Sequence, residues 1–294
     1  MQTSQTERLP MPIIVGAPRS GTTLLRFMLD AHPALAIPPE TGFLPVIAEQ
    51  ADTLWRDDLH RLVTTYHPEF PGWGDFGIDA GDYGHSLRRL DPFTIADGVR
   101  DFYRMYAAKH RKPRYGDKTP IYCRHMLAIE ALLPEAHFIH IIRDGRDVAV
   151  SLRKVWFTPG RDMTTLAAYW RELVRGARQA GLSTRRYLEV RYETLVTDPE
   201  RVLRTVCDFI GLDFSTMMLC YWQRTPERLK EHRSRCSTDG SLIVTHERRL
   251  EQQRLTMHPP DAGRVLAWRT ELTSVEQSEF EHTASDALTE FGYN

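Results

Sequence analysis

Short apolar runs alternate with amphipathic segments along the first two thirds of the chain. Residues 13–15 (Ile-Ile-Val) have the pattern of a buried strand that ends at Gly16, and residues 22–31 carry apolar side chains at helical spacing. Residues 138–142 form the clearest central strand and lead directly into a second amphipathic helix. Because strands and helices alternate in this way, the pattern predicts an α/β fold with a central, mostly parallel sheet flanked by helices.

The same pattern predicts further elements with recognisable boundaries. Asp198 is the expected N-cap of a helix that begins at Pro199 and ends at Gly211. Additional strands are predicted at 35–37, 114–115 and 187–190, and additional helices at 124–133 and 274–291. Residues 68–84 are rich in glycine, proline and aromatic side chains, which is typical of a surface loop, of a lid, or of an aromatic loop that packs onto the core. Residues 213–262 are mixed in charge and show no clear period.

The composition is that of an ordinary folded protein. Of the 294 residues, 41% are apolar and 26% are charged, which excludes a disordered or collagen-like chain. In the absence of an internal repeat or a low-complexity linker, we expect one domain over residues 11–294, preceded by a flexible N-terminus at residues 1–10. The formal net charge of −1 provides no overall field for nucleic acid or an anionic membrane, so any anion site has to be built locally.

Cysteine spacing and hydropathy bear on the compartment. The four cysteines are scattered without CxxC spacing, so we expect reduced thiols rather than a disulfide scaffold or a structural zinc site. Residues 1–8 are polar and lack the apolar run of a secretory signal. No stretch approaches the roughly 18 apolar residues that span a bilayer. We therefore expect a cytoplasmic protein without a transmembrane segment.

A first candidate anion site lies between the first strand and the first helix. Residues 16–23 (Gly-Ala-Pro-Arg-Ser-Gly-Thr-Thr) have the spacing of the nucleotide-binding loop G-x-x-x-x-G-K-[ST]. Backbone N–H groups and the helix dipole of such a loop suit a phosphate or sulfate. Thr22 replaces the usual lysine, so the loop suits a 5′-phosphate better than a magnesium-bound triphosphate. The structural alternative is a plain strand–turn–helix that needs small residues. The candidate binding residues are Arg19, Ser20, Gly21, Thr22 and Thr23.

A second strand-to-helix junction, at residues 143–151, has the same character. Arg143 follows the central strand and can direct two N–H donors at a phosphate, and Ser151 lies two turns along the next helix. A salt bridge between Arg143 and Asp144 is the structural alternative. Asp144, Arg146 and Asp147 are expected to be structural, because acidic side chains would repel a phosphate.

These motifs resemble those of a known family. Residues 18–23 look like the 5′-phosphosulfate-binding loop of sulfotransferases that use 3′-phosphoadenosine-5′-phosphosulfate (PAPS). The longer run 18–33, followed by Glu40-Thr41, is similar to the tyrosylprotein sulfotransferase branch and its bacterial relatives. The resemblance continues through Lys118, residues 143–151 and Tyr192-Glu193, and fades after about Leu212. It implies a P-loop-like sulfotransferase fold, PAPS as the donor, PAP as the product and no metal.

The resemblance also implies how the nucleotide is held. Arg143 and Ser151 would bind the 3′-phosphate, and the hydroxyl of Tyr192 would join them. A strand-end tyrosine is also commonly a core residue with a solvated tip. Arg264 and Trp268 resemble a late family segment that closes over the nucleotide, although a tryptophan packed on a surface helix fits these residues equally well.

Sulfuryl transfer requires a base for the acceptor proton and cations for the leaving phosphate. By resemblance, Glu40 is the base, Lys118 stabilises the bridging oxygen, and Arg19 shares the charge of the 5′-phosphate. Glu40 would need a pKa raised by partial desolvation. Alternatively, Glu40 begins a helix after Pro38-Pro39, and Lys118 is solvated. His32 is a rival base, but its place before a proline is more simply that of a helix C-cap.

The acceptor is expected to differ from that of the resembling branch. That branch carries arginines for acidic peptides after its base, whereas residues 42–46 here are Gly-Phe-Leu-Pro-Val. We therefore expect a hydroxyl or amine of a small-molecule, lipid or glycan acceptor, and we leave open whether the protein is a homodimer. The candidate pocket walls are Phe43, Trp55, Phe70, Trp73 and Phe76. A basic cluster fits either an anionic ligand or a solvated helix face, and its members are Arg224, Arg228, Lys230, Arg233 and Arg235.

Two other functions remain open at this level. A P-loop kinase or NTPase predicts a lysine at position 22 and a magnesium-binding aspartate after the central strand, where this chain has Thr22 and Arg143. A nucleotide-binding module without catalysis would retain Arg19, Arg143 and Ser151 but would not need Glu40 or Lys118.

Overall fold

The computed structural model describes residues 8–69 and 71–293. The expected flexible N-terminus therefore falls mostly outside the described residues, as does the candidate wall residue Phe70. The strands in the described part are β1 (Met11–Gly16), β2 (Leu35–Ala36), β3 (Arg114–Tyr115), β4 (Asp117–Lys118), β5 (Ala136–Ile142), β6 (Tyr187–Arg191), β7 (Arg235–Cys236) and β8 (Leu242–Val244). The main sheet has the order β4-β1-β5-β6, and all of its neighbouring strands are parallel. The predicted α/β fold with a parallel sheet is confirmed.

Helices connect and cover these strands. In the described residues they are α1 (Thr22–Asp30), α2 (Leu44–Gln50), α3 (Arg56–Thr65), α4 (Ala80–Arg89), α5 (Ile95–Lys109), α6 (Met126–Leu132), α7 (Gly145–Leu152), α8 (Met163–Leu182), α9 (Tyr192–Thr197), α10 (Pro199–Phe209), α11 (Thr225–Leu229), α12 (His246–Gln253), α13 (Trp268–Glu271) and α14 (Ser274–Glu290). None of the helices within 8–69 and 71–293 combines the length and the apolar character that a bilayer crossing requires.

Alternation along β1 sends apolar side chains to both faces of the sheet. Ile13 and Val15 join a core with Phe138, whereas Ile14 joins a second core with Ile139 and Ile141. Helices α5, α8 and α14 pack on the first face, and α1 and α10 pack on the second. Each of these isoleucines is fully buried, which contributes about 1.5–3 kcal/mol per side chain. The sheet is therefore held rigidly, and its carboxyl edge is a stable platform for a site.

The predicted boundaries agree well where caps are strong. Asp198 accepts a hydrogen bond from the backbone of Arg201 and caps α10, which begins at Pro199 as predicted. Gly211 follows this helix with a φ of 58°, a left-handed conformation that suits glycine. The helix predicted at 124–133 instead begins as a 3₁₀ turn at Pro120–Arg124 and becomes α-helical only from Met126.

The aromatic residues Trp73, Phe76 and Tyr83 of the segment 68–84 pack onto the core. This segment contains the 3₁₀ turn Trp73–Asp75 and the start of α4. The rings of Trp73, Phe76 and Tyr83 surround that of Phe102, with centroids 4.9–6.3 Å away. Burying these rings together is more favourable than exposing them over a cleft.

Candidate active site

A cavity of about 520 Å³ opens where β1, β4 and β5 end. In parallel α/β sheets, this carboxyl edge is the usual place for a ligand. It brings together most of the residues that the sequence singled out, and these are Arg19, Gly21, Thr22, Thr23, Glu40, Lys118, Arg143, Ser151, Tyr192 and Arg264. Ser20 is fully buried in the first loop and does not line the cavity.

The loop after β1 is shaped for an anion. Arg19 has a φ of 72° and Gly21 a φ of 97°, so the backbone turns sharply before α1. A side chain on Gly21 would collide with the ring of Tyr192, so only glycine allows this approach. No side chain in the described part of the chain caps the first turn of α1. Its N–H groups therefore remain available to an anion.

The two anion loops converge on each other. Arg19 Nε donates to Ser151 Oγ at 3.1 Å, and Arg143 Nη1 donates to the carbonyl of Arg19 at 3.3 Å. The Arg143 guanidinium also lies 4.2 Å from the centre of the Tyr192 ring. Burial and the neighbouring Arg143 charge lower the pKa of Arg19. Two guanidinium groups in close proximity, of which Arg143 is buried and Arg19 half-buried, favour the binding of a phosphate.

Glu40 and Lys118 form an ion pair on the cavity wall, beside the first loop. Lys118 Nζ donates to Glu40 Oε1 and, at 3.2 Å, to Thr23 Oγ1 of the first loop. The Lys118 side chain is 4% exposed, whereas that of Glu40 is 52% exposed toward the cavity. Burial acts to raise the pKa of Glu40, but the Lys118 ammonium and two arginines outweigh it and hold that pKa below its ordinary value. In the resting site the pKa of Glu40 is thus lowered rather than raised, because Lys118 stabilises the carboxylate.

A buried polar cluster behind this pair was not found from the sequence. Thr41 Oγ1 donates to Asp117 Oδ2 at 2.7 Å and lies 2.7 Å from Tyr122 Oη. Burial raises the pKa of Asp117, whose carboxylate is fully enclosed. The cluster joins the residue after Glu40 to the residue before Lys118. It therefore fixes the spacing between the predicted base and the predicted cation.

The late segment contributes to the site through Arg264 but not through Trp268. The Arg264 carbonyl accepts a hydrogen bond from Arg143 Nη2 at 2.7 Å. Trp268 lies outside the cavity, because its ring stacks 3.9 Å from the Arg146 guanidinium and its backbone N–H donates to Asp147. Asp144 caps α7 and binds Arg146, so these charged residues are structural, as expected.

Other predicted positions also lie away from the cavity. His32 Nδ1 accepts from the backbone of Ala34, which makes it a structural residue at the end of α1 rather than a base. Phe43, Trp73 and Phe76 belong to the aromatic core, and Trp55 is 76% exposed on the surface. None of these four aromatic residues lines the cavity, whose described aromatic walls are Tyr66, Trp156, Phe157, Tyr192 and Tyr221.

The segment 213–262 supplies cavity residues that the sequence pattern did not reveal. His232 and Arg249 line the cavity together with Arg235, which belonged to the predicted basic cluster. Arg228 of that cluster is buried instead, where its Nε donates to Asp30 at 2.8 Å. Lys230 is exposed and pairs with Glu227. The cluster therefore divides into cavity, core and surface residues.

Comparison with known proteins shows which family has a sequence similar to this chain. The family model described as "Sulfotransferase family" matches residues 10–216. Nodulation protein NoeE of Sinorhizobium fredii (strain NBRC 101917 / NGR234) is 30% identical, and the alignment covers 97% of this chain and 67% of NoeE. Protein-tyrosine sulfotransferase 2 of Gallus gallus is 28% identical over 73% of this chain and 54% of its own length.

Two solved structures of sulfotransferase domains have a fold similar to that of this chain. The sulfotransferase domain of the olefin synthase from Synechococcus PCC 7002 has a TM-score of 0.63 and 25% identity, covering 100% of this chain and 98% of that domain. The sulfotransferase domain from the curacin biosynthetic pathway has a TM-score of 0.60 and 23% identity, covering 95% and 98%. The chain spans about two thirds of NoeE and about half of the Gallus gallus enzyme. With the family match over most of its length, this chain belongs to the sulfotransferase family, a family of PAPS-dependent enzymes.

Proposed function

We propose that the protein transfers a sulfuryl group from PAPS to a hydroxyl or amine of a small-molecule, lipid or glycan acceptor. The observation that carries this proposal is the joining, in one cavity, of two anion-binding loops with the Glu40–Lys118 pair. A nucleotide-binding module needs the loops but not a carboxylate and an ammonium in contact beside them. We also propose, from the sequence, that the protein is cytoplasmic.

The residues of the donor half fit a nucleotide with two separate phosphates. The uncapped first turn of α1 and Arg19 would hold the 5′-phosphosulfate. Arg143 and Ser151 would hold the 3′-phosphate, with the Tyr192 ring beside them. Arg143 Nε is buried and has no hydrogen-bond partner among the described residues, so it has a donor to spare for such a group. PAPS, when bound, supplies an activated sulfuryl group whose leaving group is PAP.

Glu40 and Lys118 would act by separating. As long as Lys118 binds Glu40, the carboxylate is a weak base because its pKa is low. An anionic donor beside Thr23 gives the Lys118 ammonium a second partner, since Lys118 already contacts Thr23. When Lys118 turns to the leaving phosphate, Glu40 loses the ammonium that holds its pKa down, and that pKa rises. Glu40 then takes the acceptor proton, and Lys118 stabilises the charge of the departing nucleotide.

The kinase alternative lacks support in the same cavity. Thr22 begins α1 where a kinase of this loop type has a lysine, and β5 ends at Ile142, directly before Arg143. Neither position therefore carries the group that the alternative requires.

The segment after the proposed base supports a small acceptor. Residues 42–46 contain no basic side chain that could receive an acidic peptide, and Phe43 and Leu44 are fully buried. The names of the relatives point to different acceptors, since one group is called protein-tyrosine sulfotransferase and one domain belongs to an olefin synthase. We therefore propose a small acceptor rather than a protein tyrosine.

The proposal is tested by release of PAP from PAPS, measured by chromatography with a panel of hydroxylated and amino compounds. The wild type should release PAP with at least one acceptor, and Glu40→Ala and Lys118→Ala should not, although both still bind PAP. If the wild type binds PAP but releases none with any acceptor, the chain is a binding module. If both alanine variants remain fully active, the catalytic assignment is wrong.

A further inference from the structure

A second group of charges lies along the wall of the same cavity, around Asp75. Arg249 donates two hydrogen bonds to this carboxylate, at 3.0 and 2.7 Å, and Arg235 Nη2 donates a third at 2.8 Å. The backbone N–H of Arg233 adds a fourth at 3.0 Å. Asp75 is 3% exposed and does not line the cavity, whereas both guanidinium groups do. The carboxylate therefore holds two cations at the cavity wall from behind.

The arrangement requires space that glycine provides. A Cβ atom at Gly72 would collide with the guanidinium of Arg235, so a larger residue there would displace that group. Gly72 and Arg235 lie side by side on the lining of the cavity. The guanidinium of Arg235 thus lies directly against the Gly72 backbone, where the Asp75 carboxylate orients it.

The electrostatic neighbours of these arginines place them near the predicted base. Arg235 and Arg249 both act on the pKa of Glu40, whereas the pKa of Arg19 responds to Arg143 and Glu40. Both arginines therefore lie on the wall of the cavity that holds Glu40, close enough to act on its carboxylate. His232 lines the same region, and its Nε2 is buried without a hydrogen-bond partner among the described residues.

The charge count at Asp75 indicates what this wall binds. Two guanidinium groups share one carboxylate, so the trio of Asp75, Arg235 and Arg249 retains one net positive charge. A monoanion matches that excess, and the planar guanidinium favours a carboxylate. Tyr66 and Phe157 contribute apolar surface to the same cavity.

We propose that Arg235 and Arg249 form an acceptor subsite for a carboxylate, so that the acceptor is a small hydroxy or amino acid whose other end reaches Glu40. This inference rests on the proposed function and names its substrate class. The basic residues come from the segment 213–262 and not from the segment after the base, where the resembling branch carries its arginines.

The test measures binding to the PAP-saturated protein by calorimetry, so that turnover is not needed. The probes are matched pairs: para-hydroxyphenylpropanoate with its amide, and ω-hydroxydecanoate with its amide. We expect at least one acid to bind about tenfold or more tightly than its amide. Arg235→Gln should weaken binding of that acid roughly ten- to hundredfold and leave the amide unchanged, because one charge-assisted contact is lost.

Two further variants make the result interpretable. Arg235→Gln leaves Asp75 bound to Arg249 and to the Arg233 backbone, so the fold should persist. Gly72→Ala retains every charge but displaces the Arg235 guanidinium, so it should also weaken the binding of the acid. The matched control is Arg201→Gln, because Arg201 lies on α10 and its side chain is 67% exposed. This variant should bind the acid and the amide as the wild type does.

Two results would overturn the subsite. One is equal binding of acids and amides, or binding of neither, to a wild type that retains full PAP affinity. The other is an acid preference that survives both Arg235→Gln and Gly72→Ala in folded protein. If instead the wild type does not bind PAP, the proposed function itself fails, so the two failures are distinguishable.

Discussion

Replacing Glu40 by glutamine tests the dual role assigned to this carboxylate. The change removes a base and also releases Lys118, whose described side-chain contacts are Glu40 and Thr23. Loss of a general base lowers turnover by about 10²–10⁴-fold, which corresponds to about 3–5 kcal/mol in the activation barrier. The affinity for PAP should not fall, because the variant removes a negative charge beside the nucleotide and leaves Lys118 free to bind it.

The assay combines PAP release under saturating PAPS with calorimetric titration of PAP. Glu227→Gln is a suitable control, since Glu227 also pairs with a lysine but is 74% exposed and outside the cavity. The control should match the wild type in both measurements. Turnover of Glu40→Gln within a few-fold of the wild type would refute the base assignment. Unchanged turnover together with weaker PAP binding would place Glu40 in nucleotide binding instead.

Three further predictions concern acid stability, the 3′-phosphate contact and the late tryptophan. The pKa of Glu40 is lower in the folded protein than in the unfolded chain, so its ion pair stabilises the fold above the ordinary glutamate pKa of about 4.3, and this contribution disappears as the pH falls through the lowered value. The thermal unfolding temperatures of the wild type and of Glu40→Gln should therefore differ at neutral pH and converge in acid. A difference that stays constant with pH would contradict the lowered pKa. Arg143→Ala should weaken PAP binding by at least about tenfold in calorimetry, because charge-assisted contacts are lost, and unchanged affinity in folded protein would remove Arg143 from the site. Trp268→Ala should lower the free energy of unfolding by about 3–5 kcal/mol in denaturant titration, as for other buried aromatic residues, and leave the affinity for PAP unchanged. A large loss of PAP affinity with little loss of stability would show that Trp268 belongs to the nucleotide site.

The anion loops could be predicted because each is a local pattern. Residues 16–23 and 143–151 each join a buried strand to a helix, and the strand fixes the helix N-terminus at the carboxyl edge of the sheet. Parallel pairing of β1 with β5 then brings the two loops together without further information. Lys118 follows the same logic, since β4 pairs with β1 on its other side.

The cluster of Asp75, Arg235 and Arg249 could not be predicted because it depends on tertiary packing. Arg235 lies 160 positions and Arg249 174 positions after Asp75 in the sequence, so the three residues meet only in the folded chain. Their segments form short turns and strands with weak periodicity, such as β7 with two residues. The prediction of Trp73 and Phe76 as pocket walls is wrong, because composition does not reveal that Phe102 is available to pack against them.

Helix α8 is a different kind of omission, since its signal was present in the sequence. Leu166, Trp170, Leu173 and Ala177 recur at spacings of three and four over Met163–Leu182, and all four are buried. The Trp170 indole donates to the carbonyl of Arg143 at 3.1 Å. This helix therefore supports the second anion loop from below, a link that periodicity alone does not show.

Calorimetric titration with PAP, compared with AMP and magnesium-ATP, tests the central claim most directly. The account predicts that PAP binds at least tenfold more tightly than AMP, because Arg143 and Ser151 would contact the 3′-phosphate that AMP lacks. It also predicts weak binding of magnesium-ATP, since Thr22 replaces the lysine of triphosphate-binding loops. Equal affinity for PAP and AMP, or a preference for magnesium-ATP, would contradict the assignment of a PAPS-binding site.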